Sequence, residues 1–390
     1  MNWIRFVSLL FFLCCAWIYP SFAQSSLRIS VFTCGTGEDL YASYGHSAIR
    51  VIDSMKQTDI VYNYGTFNFG DPDFYIKFTR GKLPYYLASD DYESFIRTYE
   101  YEKRSVYEQV LNLSEADAQI IHRFLIENLK PENREYRYDF LFDNCTTRIR
   151  DLLQHCFGKR VEFGQVFAED SVSFRTVLDY YERNLHWERF GINLLMSHQV
   201  DQKMNKSQSL FLPDYLMKGL STSTLDGHPL IRETLQILPG DLPFSQTANQ
   251  PKQIFWVLCV IIILISFSPK LKKFLVYFDV LFFMILGLLG CFMLFMWFGT
   301  EHQVCAWNRN LFWAFPLHLI FAILIPLQSP KVALYARYSS WLIIISLIYS
   351  LFAEQPYMSE ITPLIFLILV RLSSYSKSVR MASFNPKFFR

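Results

Sequence analysis

Polar and apolar residues alternate closely through the first part of this chain and separate into long blocks in the last part. Residues 27–33, 47–53 and 59–64 have the period of two that a half-buried strand needs, with Ala48, Arg50 and Ile52 on one face of the second segment and Ile49 and Val51 on the other. A further strand is expected at 105–111. Ser114-Glu115-Ala116-Asp117 reads as a cap and an acidic first turn, so a helix starts there and ends before Pro131. Its apolar positions Ile120, Ile121, Phe124 and Leu125 make one buried face. Tyr136, Tyr138 and Phe140 alternate as another strand. Asp143-Asn144 then caps a helix that opens on Cys145, carries Ile149, Leu152, Leu153 and Cys156 on one face, and stops at Gly158. Residues 24–250 therefore form an α+β domain in which a cysteine begins a helix.

Beyond Pro251 charge nearly disappears from long stretches. About 20 apolar residues cross about 30 Å of hydrocarbon, and the candidate spans are 254–268, 274–298, 311–327, 340–352 and 361–372, the last two being short. An all-α membrane bundle of about five helices is expected over 251–372, with a basic tail at 373–390. Lys and Arg mark the cytoplasmic loops: Lys270, Lys272 and Lys273 follow the first span, Lys331 and Arg337 the third, and Arg371, Lys377, Arg380, Lys387 and Arg390 lie at the end, whereas the opposite loops hold only Arg309. That asymmetry puts residues 24–250 outside the cytoplasm. The N-terminus agrees, because Arg5, the apolar run 6–19 and Ser21-Phe22-Ala23 have the form of a signal sequence cleaved after Ala23; an uncleaved anchor would leave the topology unchanged. A lipid-modified start fails because Leu13, not a small residue, precedes Cys14. Trp256, Trp297 and Trp313 fall near the outer ends of their spans, where interfacial anchors belong.

Charge and cysteine content narrow the class further. The net charge of +2 by itself says nothing about nucleic acid, and with no basic stripe along the chain no nucleic-acid partner is expected. Cys34, Cys145, Cys156 and Cys305 lie outside the membrane, too few for a disulfide scaffold. A Cys34–Cys156 bridge would leave Cys145 a free thiol. No closely spaced Cys/His cluster suggests zinc, so neither a metal nor a cofactor is expected. Asp279, near the cytoplasmic end of its span and beside Lys273, reads as a partly solvated ion.

The chemistry centres on Cys145. A helix N-terminus favours anions and lowers a thiol's pKa toward the reactive thiolate. A nucleophilic cysteine needs a base, and Tyr44-Gly45-His46-Ser47 sets a histidine at the mouth of a strand. Cys156, on the apolar stripe, reads as an inert buried thiol, and His122 and His155 as structural or surface residues. His318, well inside the third span, is a functional candidate because intramembrane ionisable groups are costly; hydrogen bonding within the bundle is the alternative.

A histidine on an early strand followed about 100 residues later by Asn-Cys at a helix start resembles the circularly permuted papain-like enzymes, the group of lecithin:retinol acyltransferase. More closely, the segments from Tyr44 to Val51 (YGHSAIRV), from Val61 to Phe67 (VYNYGTF) and from Asp143 to Asp151 (DNCTTRIRD) resemble the Lnb-type lipoprotein N-acyltransferases of Bacteroides-like bacteria. The likeness extends into the membrane half through Glu301-His302 and Asn308-Arg309-Asn310-Leu311-Phe312-Trp313. It implies an antiparallel sheet with a Cys-bearing helix, and transfer of a fatty acyl chain from a phospholipid of the inner membrane, through a Cys145 thioester, to the N-terminal amine of a diacylglyceryl-modified lipoprotein. His46 would be the base. Asn63 would orient it by analogy with the third polar residue of papain-like triads, although retinol-type relatives often use a second histidine that this chain lacks. Tyr44, Tyr64, Asn144, Arg148, His302 and His318 are supporting candidates, for which packing or solvation is the competing reading. Two rivals remain at this point: a Cys/His hydrolase of peptidoglycan or lipid, and a scaffold whose cysteine is merely buried.

Overall fold

A computed structural model describes residues 26–168, 171–240, 247–353 and 355–376. The signal sequence, its cleavage site and the tail lysines and arginines beyond 376 lie outside the described residues.

The alternating segments become strands β1 (Leu27–Cys34), β2 (His46–Asp53), β3 (Thr58–Thr66), β4 (Pro84–Asp91), β5 (Val106–Leu111), β6 (Glu135–Arg137) and β7 (Ile231–Leu238). They form one seven-stranded sheet in the order β7-β5-β1-β2-β3-β4-β6, with every neighbour antiparallel. Helices α1 (Phe74–Thr79) and α2 (Tyr92–Tyr101) interrupt the strands, and α3 (Glu115–Leu129) and α4 (Cys145–Phe157) pack on the sheet. Because side chains alternate across a strand, β1 feeds two cores. Ile29 and Val31 meet Ile121, Leu125, Ile149, Leu152 and Leu153 of α3 and α4. Phe32 and Cys34 meet Phe95 and Tyr99 of α2. Each fully buried aliphatic contributes about 1.5–3 kcal/mol.

The same alternation excludes the Cys34–Cys156 bridge. Cys34 lies in the α2-side core while Cys156 packs against the α4-side core, and both thiols are free. The strand expected through Tyr136, Tyr138 and Phe140 also shortens, to Glu135–Arg137. The Asp139 carboxylate accepts the backbone N–H groups of Leu141 and Phe142, which turns the chain before a ladder can extend.

After α4 come α5 (Phe174–Tyr181), α6 (His186–Leu195) and α7 (Pro213–Ser221), then the apolar helices α8 (Gln250–Ser266), α9 (Lys272–Phe298), α10 (His318–Leu324), α11 (Lys331–Ser350) and α12 (Thr362–Ser376). Among the described residues, Pro269–Phe298 and Lys331–Ser350 are long and apolar enough to cross a membrane, while α8 and α12 are shorter apolar helices. The fourth expected span thus starts nine residues earlier than its apolar run, at Lys331. The third, 311–327, is not a continuous helix. A 3-10 turn at Arg309–Phe312 precedes α10, Pro316 offers no N–H to a helix, and a side chain on Gly290 of α9 would run into the Ala314 carbonyl and the Pro316 ring. Irregular backbone at this depth persists because protein covers it. Trp313, expected as an interfacial anchor, is fully buried and donates to Asn310 Oδ1 at 3.0 Å.

Asp279 is likewise fully buried rather than partly solvated. Arg371 meets both its oxygens at 2.7 Å, Tyr375 donates to it at 2.6 Å, and Arg371 also reaches Ser266 at 2.8 Å, so α8, α9 and α12 share one polar knot. Arg371 therefore belongs to the bundle and not to the solvated tail. Arg371→Ala leaves a buried carboxylate unpaired and is expected to cost about 3–5 kcal/mol. Replacing both partners, Asp279→Asn with Arg371→Met, should cost less than Arg371→Ala alone. Thermal unfolding of the full chain in detergent checks this, and a wild-type midpoint for Arg371→Ala would show that the pair is dispensable.

Candidate active site

Cys145 is placed by the residue before it. Asn144 Oδ1 accepts the backbone N–H groups of Thr146 and Thr147 at 2.8 and 2.9 Å, while Thr147 Oγ1 accepts the Asn144 N–H at 2.8 Å, completing a reciprocal capping box. The Asn144 amide nitrogen donates to the Phe140 and Phe211 carbonyls at 2.8 and 3.0 Å. Every polar atom of this side chain is engaged, so Asn144 holds the helix start and is not free for a substrate. Ser47 of β2 and Thr146 of α4 share a hydroxyl contact at 3.1 Å that ties this start to the sheet.

His46 opens β2 after Gly45, whose φ of +81° favours glycine and whose Cβ would stand 2.6 Å from the Cys34 carbonyl oxygen. Gly65, at φ +87°, makes the approach to the nucleophile: a side chain there would lie 3.5 Å from Cys145 Cβ and 3.9 Å from both Tyr136 Oη and Tyr138 Cε2. His46 Nε2 sits 3.2 Å from Asn63 Oδ1, and Asn63 Nδ2 donates to Asp90 Oδ2 at 2.9 Å. The order of these contacts decides the tautomer. A carboxylate only accepts, so the Asn63 nitrogen faces Asp90 and its oxygen faces His46, which makes Nε2 the protonated nitrogen and leaves Nδ1 for the thiol.

The electrostatics of the two groups agree. Burial is the largest influence on Cys145 and pushes its pKa up, but the His46 charge and hydrogen bond, the Ser47 backbone N–H and the Thr146 hydroxyl outweigh it and hold the thiol below its ordinary range. Burial pushes His46 down, and the Cys145 charge and the hydrogen bonds to Cys145 and Asn63 outweigh it, so its pKa is raised. Each group therefore favours the charged form of the other, a thiolate beside an imidazolium. The neighbouring thiols behave otherwise: burial lifts Cys34, the Cα partner of His46, to about 12, and Cys156 to about 11.

The remaining candidates scatter. Tyr44 donates to Glu182, and Tyr64 to Asn128 at 2.6 Å on the α3 side. Arg148 pairs with Asp143 and lies over the Tyr136 ring at 3.9 Å, flanking the site without reaching Cys145. His302 contacts the Phe78 carbonyl at 3.1 Å. His318 is buried between the Trp313 carbonyl at 3.1 Å and the Tyr335 hydroxyl at 2.9 Å, both within the membrane half. Asn308 and Asn310 of the outer motif donate to the Leu194 carbonyl at 2.8 and 3.0 Å, clamping α6 to the bundle. Asp90 and Tyr136 are site residues that the sequence reading did not single out. Asp90 lies in a polar strand end that any exposed edge would match, and Tyr136 showed itself only as an alternating aromatic. Its hydroxyl is buried beside the Gly65 backbone N–H, and its own O–H donates to no acceptor among the described residues. An open cleft of about 440 Å³ between Phe142, His198, Gln199, Gln202 and Trp307 contains neither Cys145 nor His46. Among the described residues no group of three or more His, Cys, Asp or Glu side chains could hold a metal ion.

The coupling of Cys145 and His46 sets a pH profile. A lowered Cys145 pKa means that thiolate persists as pH falls below the ordinary thiol range and is lost only as pH drops through the depressed value. Iodoacetamide should therefore alkylate Cys145 at neutral pH, with Cys34 and Cys156 silent, and His46→Ala should move the inflection upward toward an ordinary thiol. Asp90→Ala should move it in the same direction by less, because it acts only through the Asn63 amide. Peptide mass spectrometry across a pH series reads each cysteine separately, and a Cys145 inflection unchanged in His46→Ala would break the pairing.

No curated protein and no solved structure matches the chain. Two family matches do: residues 14–179 match the Lnb N-terminal periplasmic domain and residues 244–380 match the Lnb transmembrane domain. The antiparallel domain that carries the Cys145/His46 pair and the apolar bundle clamped to it are therefore a periplasmic and a transmembrane domain in one chain, which belongs to the Lnb family.

Proposed function

We propose that this protein is a thiol-dependent N-acyltransferase that moves a fatty acyl chain from a membrane phospholipid to the N-terminal amine of diacylglyceryl-modified lipoproteins. The family matches support a membrane protein with a periplasmic domain that acts in lipoprotein processing. The observation that carries the finer reading is the Cys145–His46 pair at the start of α4, its thiol pKa lowered and its imidazole pKa raised, set among Tyr136, Tyr138 and the Gly65 backbone and held on a domain bound to a membrane bundle. A peptidoglycan hydrolase would need an open polar groove at the thiol, whereas aromatic rings surround this one.

In the first step the Cys145 thiolate attacks the ester carbonyl carbon of the phospholipid. The negative charge that develops on the carbonyl oxygen meets the Cys145 backbone N–H, which has no acceptor within the helix, and the Tyr136 O–H, which has no acceptor of its own. Burial pushes the Tyr136 pKa well up, so it stays a neutral donor. The ester C–O bond breaks, the departing glycerol oxygen takes the proton held by His46, and a thioester remains. In the second step the lipoprotein amine, with an ordinary pKa near 8, attacks the thioester carbon. His46, now neutral, accepts the amine proton, the C–S bond breaks, and the thiolate–imidazolium pair returns. Asn63 and Asp90 keep the ring oriented through both steps. Holding the enzyme in the membrane brings both lipid substrates to one plane.

With radiolabelled phospholipid and no acceptor, the wild type should accumulate acyl label that neutral hydroxylamine releases, as it does from thioesters and not from amides. Cys145→Ala should hold none, and Cys145→Ser should not turn over. Tyr136→Phe keeps the ring and should slow thioester formation about 10²-fold. Lipoproteins from cells lacking this protein should be one acyl chain lighter by intact mass. Label persisting in Cys145→Ala, or unchanged lipoproteins with altered muropeptides, would refute acyl transfer.

A further inference from the structure

The segment between β3 and β4 exposes more large apolar area than a soluble surface ordinarily presents. Phe69 is 66% exposed, Tyr75 80%, Ile76 62% and Phe78 52%, and Tyr41, 64% exposed, meets Phe69 edge-on with ring centres 6.5 Å apart. These residues belong to one aromatic cluster. Phe67 lies 4.6 Å from Phe69 and 5.8 Å from Phe74, and Phe74 lies 6.0 Å from Phe78.

This cluster is fixed at the end of a membrane helix. The Glu301 backbone N–H donates to the Arg80 carbonyl at 2.9 Å, His302 Nε2 contacts the Phe78 carbonyl at 3.1 Å, and Glu301 pairs with Lys82 and Arg137. Those partners follow α9, which ends at Phe298, by only a few residues. At about 3.6 Å per residue, His302 stands no more than about 15 Å from that end. The interfacial layer is several ångströms deep on each side of a roughly 30 Å core. Trp297, stacked on Phe298 and tilted against Trp307, marks the same level. An exposed apolar helix edge this close to the end of a membrane helix suits contact with the outer headgroup layer.

The rings also lead inward. Phe67 is 5.1 Å from Tyr85, Tyr85 stacks on Tyr138 at 4.3 Å, and Tyr138 approaches Gly65 beside Cys145. A continuous aromatic path thus joins the membrane-level surface to the nucleophile. We infer that the α1 segment is the surface through which an outer-leaflet phospholipid presents its acyl chain to Cys145, the chain lying along Phe74, Phe67, Tyr85 and Tyr138. The inference rests on the acyl-transfer reading and adds where and how the donor arrives.

The test uses the full-length protein in vesicles of phosphatidylethanolamine and phosphatidylglycerol. Tyr75→Asp with Ile76→Asp changes two exposed side chains, and Met55→Asp, 80% exposed in the β2–β3 turn at the far end of β2 from His46, is the control. The double variant should form acyl-Cys145 from vesicle phospholipid at least tenfold more slowly. It should match the wild type with dihexanoyl-phosphatidylcholine supplied as monomers, and its iodoacetamide rate at Cys145 should be unchanged. Met55→Asp should behave as wild type with both donors. A vesicle phospholipid carrying a diazirine in its acyl chain should leave photoadducts on residues 67–82 of the wild type. Wild-type rates for the double variant on vesicles, or adducts confined to the bundle, would overturn the surface while leaving acyl transfer intact. Normal thioester formation with failed transfer to a lipoprotein would assign the surface to the acceptor and equally overturn the proposal. A wild type that gains no acyl group from either donor would instead refute acyl transfer, and with it the donor route.

Discussion

Everything at this site depends on where one helix is allowed to begin. The four first N–H groups of a helix need acceptors outside it, and Asn144 supplies one oxygen to two of them while its nitrogen reaches the Phe140 and Phe211 carbonyls. An Asn→Ala cap deletion costs about 1 kcal/mol in an ordinary helix. Here the same side chain also anchors the loop before α4 to the segment before α7, so it sets the position of the thiol as well as the stability of the helix. The contact between Ser47 and Thr146 then brings that start to the mouth of β2, and the absent side chain of Gly65 leaves room for Cys145 to close.

The molecule buries two pairs of ionisable groups and treats them differently. Asp279 and Arg371 are fully matched: both carboxylate oxygens, the guanidinium, a tyrosine and a serine satisfy one another, as a pair inside an apolar bundle must be to persist. At Cys145 and His46 the matching is incomplete. The thiol has backbone, hydroxyl and imidazole neighbours, and the nearby Tyr136 O–H donates to no acceptor among the described residues. A buried donor left unused is costly to the fold, unlike the satisfied knot in the bundle.

The two halves are joined by polar contacts at one level. Asn308 and Asn310 hold the end of α6, Arg189 pairs with Glu360 at 2.7 Å, the Ser197 N–H donates to the Val304 carbonyl at 2.8 Å, and the α1 segment meets Glu301 and His302. The Asn308–Trp313 motif, through which the family likeness reaches the membrane half, is therefore a fastening, with Trp313 turned into the core. Its effect on function is to hold the nucleophile's domain at a constant height above the bundle.

Local pattern alone determined much of this protein: the alternating strands 27–33, 47–53, 59–64 and 105–111, the helix after Ser114, the cap at Asn144, and the division into a polar half and an apolar half. These follow from periodicity and composition, which act between near neighbours and leave their mark in the residues themselves. The tertiary structure decided what depends on distant residues meeting. Asp90 became part of the histidine's support only because β4 lies beside β3. Cys34 and Cys156 stayed apart because they occupy opposite faces of the sheet. The third apolar run broke because Gly290 lets α9 press on Ala314 and Pro316, and Asp279 lost its solvent because Arg371 folds back onto it. An apolar run records its preference for lipid, but it carries no record of which neighbour will claim its polar atoms.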